Sequence, residues 1–466
     1  MKINLIRGDK VDPNVDYLDA LPVNMYAVKK DILGGNGYMI SYPGITSFGT
    51  GIGADRGGVY NDRQNRHLRI SGEKLISVRA DGVVVELGDI PGTRQAALPY
   101  SFNTQAIIVD GSMYLYSAST GLDKVTAAGI GTPIDGTWID GYYFLTDGEY
   151  LYHTELTNEA AINALSFATA EFMPDVSLGV GKTQDNKGIV FGRYTTEYFV
   201  NVATENFAFQ RVEERAIKIG IVATNAKCEV GGDWYITGGR KEEAVGVHVI
   251  GTGSAEKIST REIDKILSAY PESELSDMRM EGRKEDGTTF IIVHLPNETL
   301  CFNREIANTF GVDFAWSILQ SGAQVAMVYG GINCVHDPRT GKEIVGDRTG
   351  GNLGYLDNTT FAQYDEIQEF ILYSPFVSLE AMSVDELKIE TIPGRNTIDD
   401  AKVFISVSKN GDIFGKEYSM AYGDPLDYQA KFILRRLGYF NSFAGFKFRG
   451  ATKSRMAFAN LEITAT

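Results

Sequence analysis

The 466-residue sequence predicts a mainly β protein. It reads as a β-propeller of about six to seven irregular blades, followed by a C-terminal β-sandwich, with few short helices. Three observations predict it. The chain has 51 Gly, 24 Tyr and 24 Phe against only 13 Pro, the composition of short strands joined by tight turns. From about residue 55 a strand–turn–strand unit recurs at intervals of roughly 35 to 55 residues, the spacing of four-stranded blades. From about Gln368 the texture changes to strands that alternate apolar with polar residues.

Three units follow in order. Residues 1–50 are dense in Pro and Gly and predict an extended N-terminal segment with short strands. Residues 51–365 carry the blades. His67–Ile76, Ala106–Tyr116 and Tyr142–Tyr152 are three instances, with hairpin turns such as Asp110-Gly111. Further units begin near Gly188, Gly232, Thr288 and Val328. One helix interrupts them. Ser259-Thr260 supplies its cap, and Ile263, Ile266 and Leu267 fall at helical spacing; Ser273 caps a second short turn. Residues 366–466 form the sandwich, with strands at Phe370–Tyr373, Leu387–Thr391, Val403–Val407 and Phe446–Arg449 and a hairpin turn at Asn410-Gly411.

Charge and cysteines narrow the function. With 44 basic against 60 acidic residues the net charge is −16, so the mean field repels phosphate and argues against a general nucleic-acid binder. Cys228, Cys301 and Cys334 are odd in number and far apart, which predicts no disulfide framework and synthesis in a reducing cytoplasm. The first apolar run is too short for a signal peptide, and no apolar run reaches the ~20 residues of a membrane span.

Catalytic and cofactor motifs are incomplete. Gly181-Lys182-Thr183 ends like a phosphate-binding loop, but Val176 stands where that loop needs its first Gly, so a polar turn is expected. Ser408–Asp412 is similar to the Asp-box turn of sialidase propellers, yet it occurs once and lacks the closing Trp. Cys334 and His336 share a strand face without a second ligand pair, so no metal and no cofactor is expected. His67, His153, His248 and His294 lie in or beside apolar strands. One charge feature stands out. Between Asp427 and Glu462 there is no acidic residue, while Lys431, Arg435, Arg436, Lys447, Arg449, Lys453 and Arg455 are all basic. These seven are the candidate interface residues, for an acidic partner surface or for DNA; the alternative is a solvated face with internal ion pairs. Strand alternation puts Lys447 and Arg449 outward and Phe446 and Phe448 in the core, and Lys453 and Arg455 repeat that alternation on a neighbouring strand.

Several blocks, in order from end to end, carry a resemblance. They are Asp16-Tyr17-Leu18-Asp19, Leu21-Pro22-Val23-Asn24-Met25, Ile32-Leu33, Gly37-Tyr38, Pro43-Gly44-Ile45-Thr46 and Tyr60-Asn61. Thr196–Phe199, Ile250-Gly251-Thr252-Gly253, Glu262–Ile266, Ile291–Pro296, Gln368-Glu369, Leu372, Pro375, Gly445–Arg449 and Thr452–Ser454 follow. The chain thereby resembles the packaged-DNA stabilisation proteins, or tail hubs (nozzles), of short-tailed bacteriophages. The resemblance implies a non-enzymatic late protein of the virion tail, assembled in the host cytoplasm and containing a propeller. It implies a homohexameric ring below the portal-adaptor ring that extends and closes the channel, stabilises packaged DNA and supports its ejection. Needle and tailspike or fibre proteins are the implied further partners. The rival reading is a propeller-type carbohydrate-binding or depolymerase protein of a phage tail.

Overall fold

The computed structural model describes all residues except 13, 15, 33, 128, 171, 205, 252, 286, 324–326 and 392–400. Leu33 and Thr252 of the blocks quoted above therefore lie outside the described residues. Among the described residues, seven small sheets succeed one another over residues 55–89, 96–124, 135–168, 177–211, 220–257, 279–328 and 331–357, as the blades of a propeller. Each of the seven repeat units read from the sequence falls within or at the edge of one of them. The turns explain the regularity. Asp110 and Gly111 take φ of 47° and 73°, and Asp140 and Gly141 take 51° and 92°; both are two-residue connections with positive φ at each central position, matching the twist of the strands they join.

The ring closes through a distant piece of chain. The last blade holds Gly331–Asp337, Lys342–Asp347 and Asn352–Asp357, and its outer strand is Gly44–Thr50 from the N-terminal segment. Gly331–Asp337 then lies against Asp55–Asn61, the inner strand of the first blade.

The sandwich is completed in the same way. One of its sheets orders Met25–Ile32, Gly35–Ser41, Ala457–Ala465, Met382–Thr391 and Phe432–Phe440, with Lys2–Asn4 also paired to Ala457–Ala465. The other orders Gln368–Tyr373, Phe443–Thr452, Lys402–Ser408 and Tyr418–Ala421. Phe446, Phe448, Val403, Leu387 and Leu461 fill the space between. The first fifty residues, set apart in the reading of the sequence, are thus distributed between the sandwich and the last blade.

Propeller and sandwich share one core. Leu300 and Trp316 of the sixth blade and Ile263 and Leu267 of the helix Arg261–Ser268 belong to the same buried cluster as the sandwich interior. A short extended segment crosses the join. Val23 exchanges backbone hydrogen bonds with Ile371 (2.9 and 3.1 Å), while Asn24 N–H donates to Ile318 O (2.8 Å) and Ile318 N–H donates to Pro22 O (2.9 Å). The Asn24 side chain repeats this bridge: Nδ2 donates to Gln320 O (3.1 Å) and Glu369 O (2.7 Å), and Oδ1 accepts from Gln320 N–H (2.9 Å). Asn24 is buried at φ 53°, a conformation that Asn tolerates better than most residues.

Local details differ from the sequence reading. Thr260, not Ser259, holds the N-cap position of Arg261–Ser268; the Ser259 hydroxyl donates to Asp264 (2.6 Å). Pro271 precedes the short helix Glu272–Leu275, so Ser273 is inside it. A helix at Arg304–Phe310, capped by Asn303 Oδ1 on Ile306 N–H, went unread because its apolar spacing is short. Asn410-Gly411 lies in the turn of a hairpin, as expected, but in a longer loop than two residues: residues 409–413 lie between the bridged Ser408 and Phe414, and Asn410 Oδ1 accepts from the Asp412 and Ile413 amides.

Replacing Asn24 by Ala removes three buried hydrogen bonds and places a Cβ-bearing residue without side-chain compensation at positive φ. The expected loss is about 3 kcal/mol of unfolding free energy, measured by urea titration with the slope unchanged.

Candidate interface and the charged groups around it

The seven basic candidates do not form one face. Phe446 and Phe448 are buried while Lys447 and Arg449 point outward, as alternation predicts. Arg449 is fully engaged: it pairs with Glu417 (2.9 and 2.8 Å) and with Glu369 (2.7 Å), and these bonds raise its pKa further. Lys447 lies over the Tyr373 ring at 5.9 Å. Lys453 and Arg455 are not on a neighbouring strand but in the connection before Ala457–Ala465. Lys453 pairs with Asp365 (2.7 Å), and Arg455 donates to Ser41 O and to Asn358, tying the connection to the N-terminal strands.

The remaining three lie at or just before Phe432–Phe440, an edge strand of the other sheet. Arg435 pairs with Glu386 (3.0 Å) while two-thirds of its side chain stays in solvent. Arg436 is exposed at φ 61° where the register shifts, and Lys431 is exposed ahead of the strand. Among the described residues neither has an ion-pair partner. Leu426 (75% exposed) and Tyr428 (58%) precede them, so this edge combines free cations with exposed apolar groups. A bulged, charged edge resists addition of another strand and favours side-chain contacts.

Several blocks that carry the resemblance, Asp16–Asp19, Leu21–Met25, Glu262–Ile266 and Gln368-Glu369 among them, meet at the join between propeller and sandwich. The hairpin Asp9–Asp12 with Asp16–Asp19 docks on the helix Arg261–Ser268 through the ion pairs Asp16–Arg261 and Asp12–Lys265. A cavity of about 720 Å³ lies between them, bordered by Leu18, Glu262, Tyr270, Glu298 and Tyr373. Sequence reading had no means of pairing blocks some 240 residues apart.

Charged groups are also buried where blades meet. Arg69 and Asp55 of the first blade pair at 2.7 Å, and Arg69 donates to Asn333 O (2.7 Å) of the last. His67 Nδ1 lies 3.4 Å from Asp337 Oδ2, which also holds Arg339. Between the sixth and last blades, Glu281 accepts from Arg283, from His294 Nε2 (3.0 Å) and from Cys334 N–H (2.8 Å). Across the fourth blade, Lys227 reaches Asp135 (2.8 Å) over Gly179, where a Cβ would meet both side chains. Burial pushes His67 and His294 down to about 4, outweighing their carboxylate neighbours. For Glu281, burial opposes ionisation, but Arg283 and His294 overcome it and hold the carboxyl well below its usual range. Cys334 and His336 share a face, as expected, and both approach Glu343 (3.8 and 2.6 Å). Lys182 and Thr183 close the hairpin between Ser177–Lys182 and Gly188–Gly192, with Trp234 packed on Gly181.

Comparison with known proteins decides the family. A family model described as Bacteriophage P22 Gp10, beta-propeller, matches residues 1–361, and one described as Bacteriophage P22 Gp10, beta-sandwich, matches residues 369–466. The chain belongs to the bacteriophage P22 Gp10 family. The tail hub protein gp10 of Salmonella phage P22 is 29% identical over 466 residues, covering 97% of this chain and 96% of that protein. The mainly β propeller-plus-sandwich architecture read from the sequence is thereby established. Among solved structures, virginiamycin B lyase from Staphylococcus aureus is 9% identical with a TM-score of 0.43, over 65% of this chain and 94% of that one. The extracellular domain of the putative one component system BT4673 from B. thetaiotaomicron is 9% identical with a TM-score of 0.45, over 89% and 58%. Neither likeness is close enough to bear on function. Among the described residues no helix is long and apolar enough to cross a membrane.

His67 and His294 have folded-state pKa values below the unfolded value near 6.5, so they favour the folded state fully above about pH 6.5 and lose that contribution as pH falls toward 4. The depressed carboxyl of Glu281 adds to the loss below its unfolded value. Stability by urea titration is expected to drop by on the order of 4 kcal/mol between pH 7 and 4.5, and His294→Gln to flatten part of that slope.

Proposed function

We propose that this chain is the tail hub of a short-tailed bacteriophage: a structural virion protein that extends and closes the portal channel, stabilises packaged DNA and supports its ejection. The protein is not an enzyme. The observation that carries the reading is the end-to-end match, propeller and sandwich alike, to a protein whose whole length is a tail hub. Six copies would form a ring below the portal-adaptor ring and carry needle and tailspike or fibre proteins. Two physical features support this. Propeller and sandwich share a core and a hydrogen-bonded join, which suits a rigid element under load. A net charge of −16 per copy gives a ring whose field repels phosphate, so that duplex DNA slides past without sticking.

Imaging of the assembled tail is expected to show this chain in six-fold symmetry, and phage lacking it should fill their heads and then lose DNA. A trimer, a single axial copy, or full and stable heads without the protein would refute the hub assignment.

The exposed edge at Lys431 and Arg436 supports a contact with an acidic neighbour, either another copy or the adaptor. Lys431→Glu with Arg436→Glu breaks no internal ion pair among the described residues, so the melting temperature should stay within a few degrees. Incorporation into tails, measured by the yield of complete particles, should fall about tenfold and recover little at high salt. Normal assembly would make this edge a solvated surface.

A further inference from the structure

A small cavity of about 210 Å³ opens at the outer edge of the third blade. Its walls follow from strand alternation. Tyr150 and Tyr152 flank Leu151, whose side chain is fully buried, so both tyrosines project to the opposite side. Phe167 stands directly across from Tyr152 in the paired strand, and its half-exposed ring meets Tyr150 edge to face at 5.1 Å and 82°. Three aromatic rings thus border one space. Asp147 closes it. Its Oδ1 accepts from the Glu149 and Tyr150 amides (3.1 and 2.7 Å), which fixes the carboxylate at the cavity wall and leaves Oδ2 outside these turn bonds.

Two features define the polar lining of the cavity. Tyr152 is 4% exposed, and among the described residues its hydroxyl has no hydrogen-bond partner. A Cβ built on Gly131 would lie 3.0 Å from Asp147 Oδ2 and 3.8 Å from the Tyr152 hydroxyl oxygen, so the two oxygens lie close to one another beside Gly131, and both residues line the cavity. No Lys or Arg lines the cavity, and among the described residues Asp147 and Glu149 have no ion-pair partner. A buried hydroxyl without a partner costs stability unless something arrives to bond it.

From this arrangement we propose that the cavity binds an alkylammonium group. The negative faces of aromatic rings attract a cation, a fixed carboxylate supplies the counter-charge, and the Tyr152 oxygen can accept one of its N–H groups. An anion would be repelled by Asp147 and Glu149, and a neutral apolar ligand would strip water from the carboxylate without replacing it. The volume suits the end of a lysine side chain or of a polyamine. The group is the same in both, and the two sources are separable by experiment.

The test uses the full-length protein and ligand-observed saturation-transfer NMR with N-α-acetyl-lysine methylamide and with spermidine; the N-ε-acetylated lysine derivative is the uncharged control. Both cations, or one of them, should receive saturation, and the control none. Asp147→Asn keeps the Oδ1 acceptor for the turn amides and removes the charge; it should weaken binding about tenfold, and Phe167→Ala at least threefold. Tyr152→Phe should weaken binding, since it removes the oxygen that accepts an N–H of the ligand. If Asp147→Asn fails to fold, Phe167→Ala at its half-exposed position gives the same test. Preferential binding of the lysine derivative assigns the site to a partner protein's lysine, and preferential binding of spermidine to a free polyamine; either supports the proposal. Equal saturation of the acetylated control, or binding unchanged in both Asp147→Asn and Phe167→Ala, overturns it and leaves a cavity holding water only.

Discussion

The three hydrogen bonds of the Asn24 side chain, with the backbone bonds of Val23 and Asn24 beside them, are the constraint on which the arrangement of this molecule depends. A propeller blade and a sandwich sheet each end in an edge whose N–H and C=O groups need partners. Here one extended segment satisfies both edges at once, Ile318–Gln320 on one side and Glu369–Ile371 on the other. Because that segment comes from the N-terminus, neither part is completed by its own stretch of sequence. Lys2–Asn4, Met25–Ile32 and Gly35–Ser41 finish the sandwich, and Gly44–Thr50 finishes the last blade. The consequence is mechanical: pulling the two parts asunder breaks backbone hydrogen bonds and opens a shared apolar core, rather than bending a linker.

The buried charges follow from the same closure. At several junctions between blades the fold buries ion pairs: Arg69 with Asp55, Arg283 with Glu281, Lys227 with Asp135. Such pairs add little net stability against a well-packed apolar alternative, because both partners lose their water. They are demanding of geometry, however, since each leaves a buried charge exposed if its neighbour shifts. The arginines so held also reach the next blade, Arg69 at Asn333 O and Arg283 at Gly331 O, and Lys227–Asp135 itself spans two blades. The histidines share this logic. His67 and His294 are neutral hydrogen-bonding spacers in these networks, which is why burial dominates their titration.

The seven basic residues between Asp427 and Glu462 show how a linear charge run is divided by folding. Arg449 and Lys453 are neutralised by Glu417, Glu369 and Asp365, all distant in sequence, and Arg455 is a hydrogen-bonding brace. Among the described residues Lys431 and Arg436 have no ion-pair partner, and they lie exposed at an edge strand beside exposed Leu426 and Tyr428. Proximity in sequence overstated the cluster because carboxylates folded in from elsewhere decide which cations stay available.

What the sequence by itself determined was local. Asp-Gly pairs with positive φ set the hairpins, the recurrence of strand and turn set the blades, and alternation in Phe446–Arg449 assigned core and surface sides correctly, because each depends on residues within a few positions of one another. The order of the resemblance blocks determined the family in the same way, as a property of the linear chain. The tertiary structure alone decided the partners: that Ala457–Ala465 lies between the first strands and Met382–Thr391, that Gly44–Thr50 closes a blade beginning at Gly331, and that Phe167 joins Tyr152 and Asp147 in lining one cavity. Those pairings join segments whose own patterns are compatible with many neighbours. The choice among them rests on which combination leaves no edge, buried amide or buried charge without a partner, and that is a property of the whole fold.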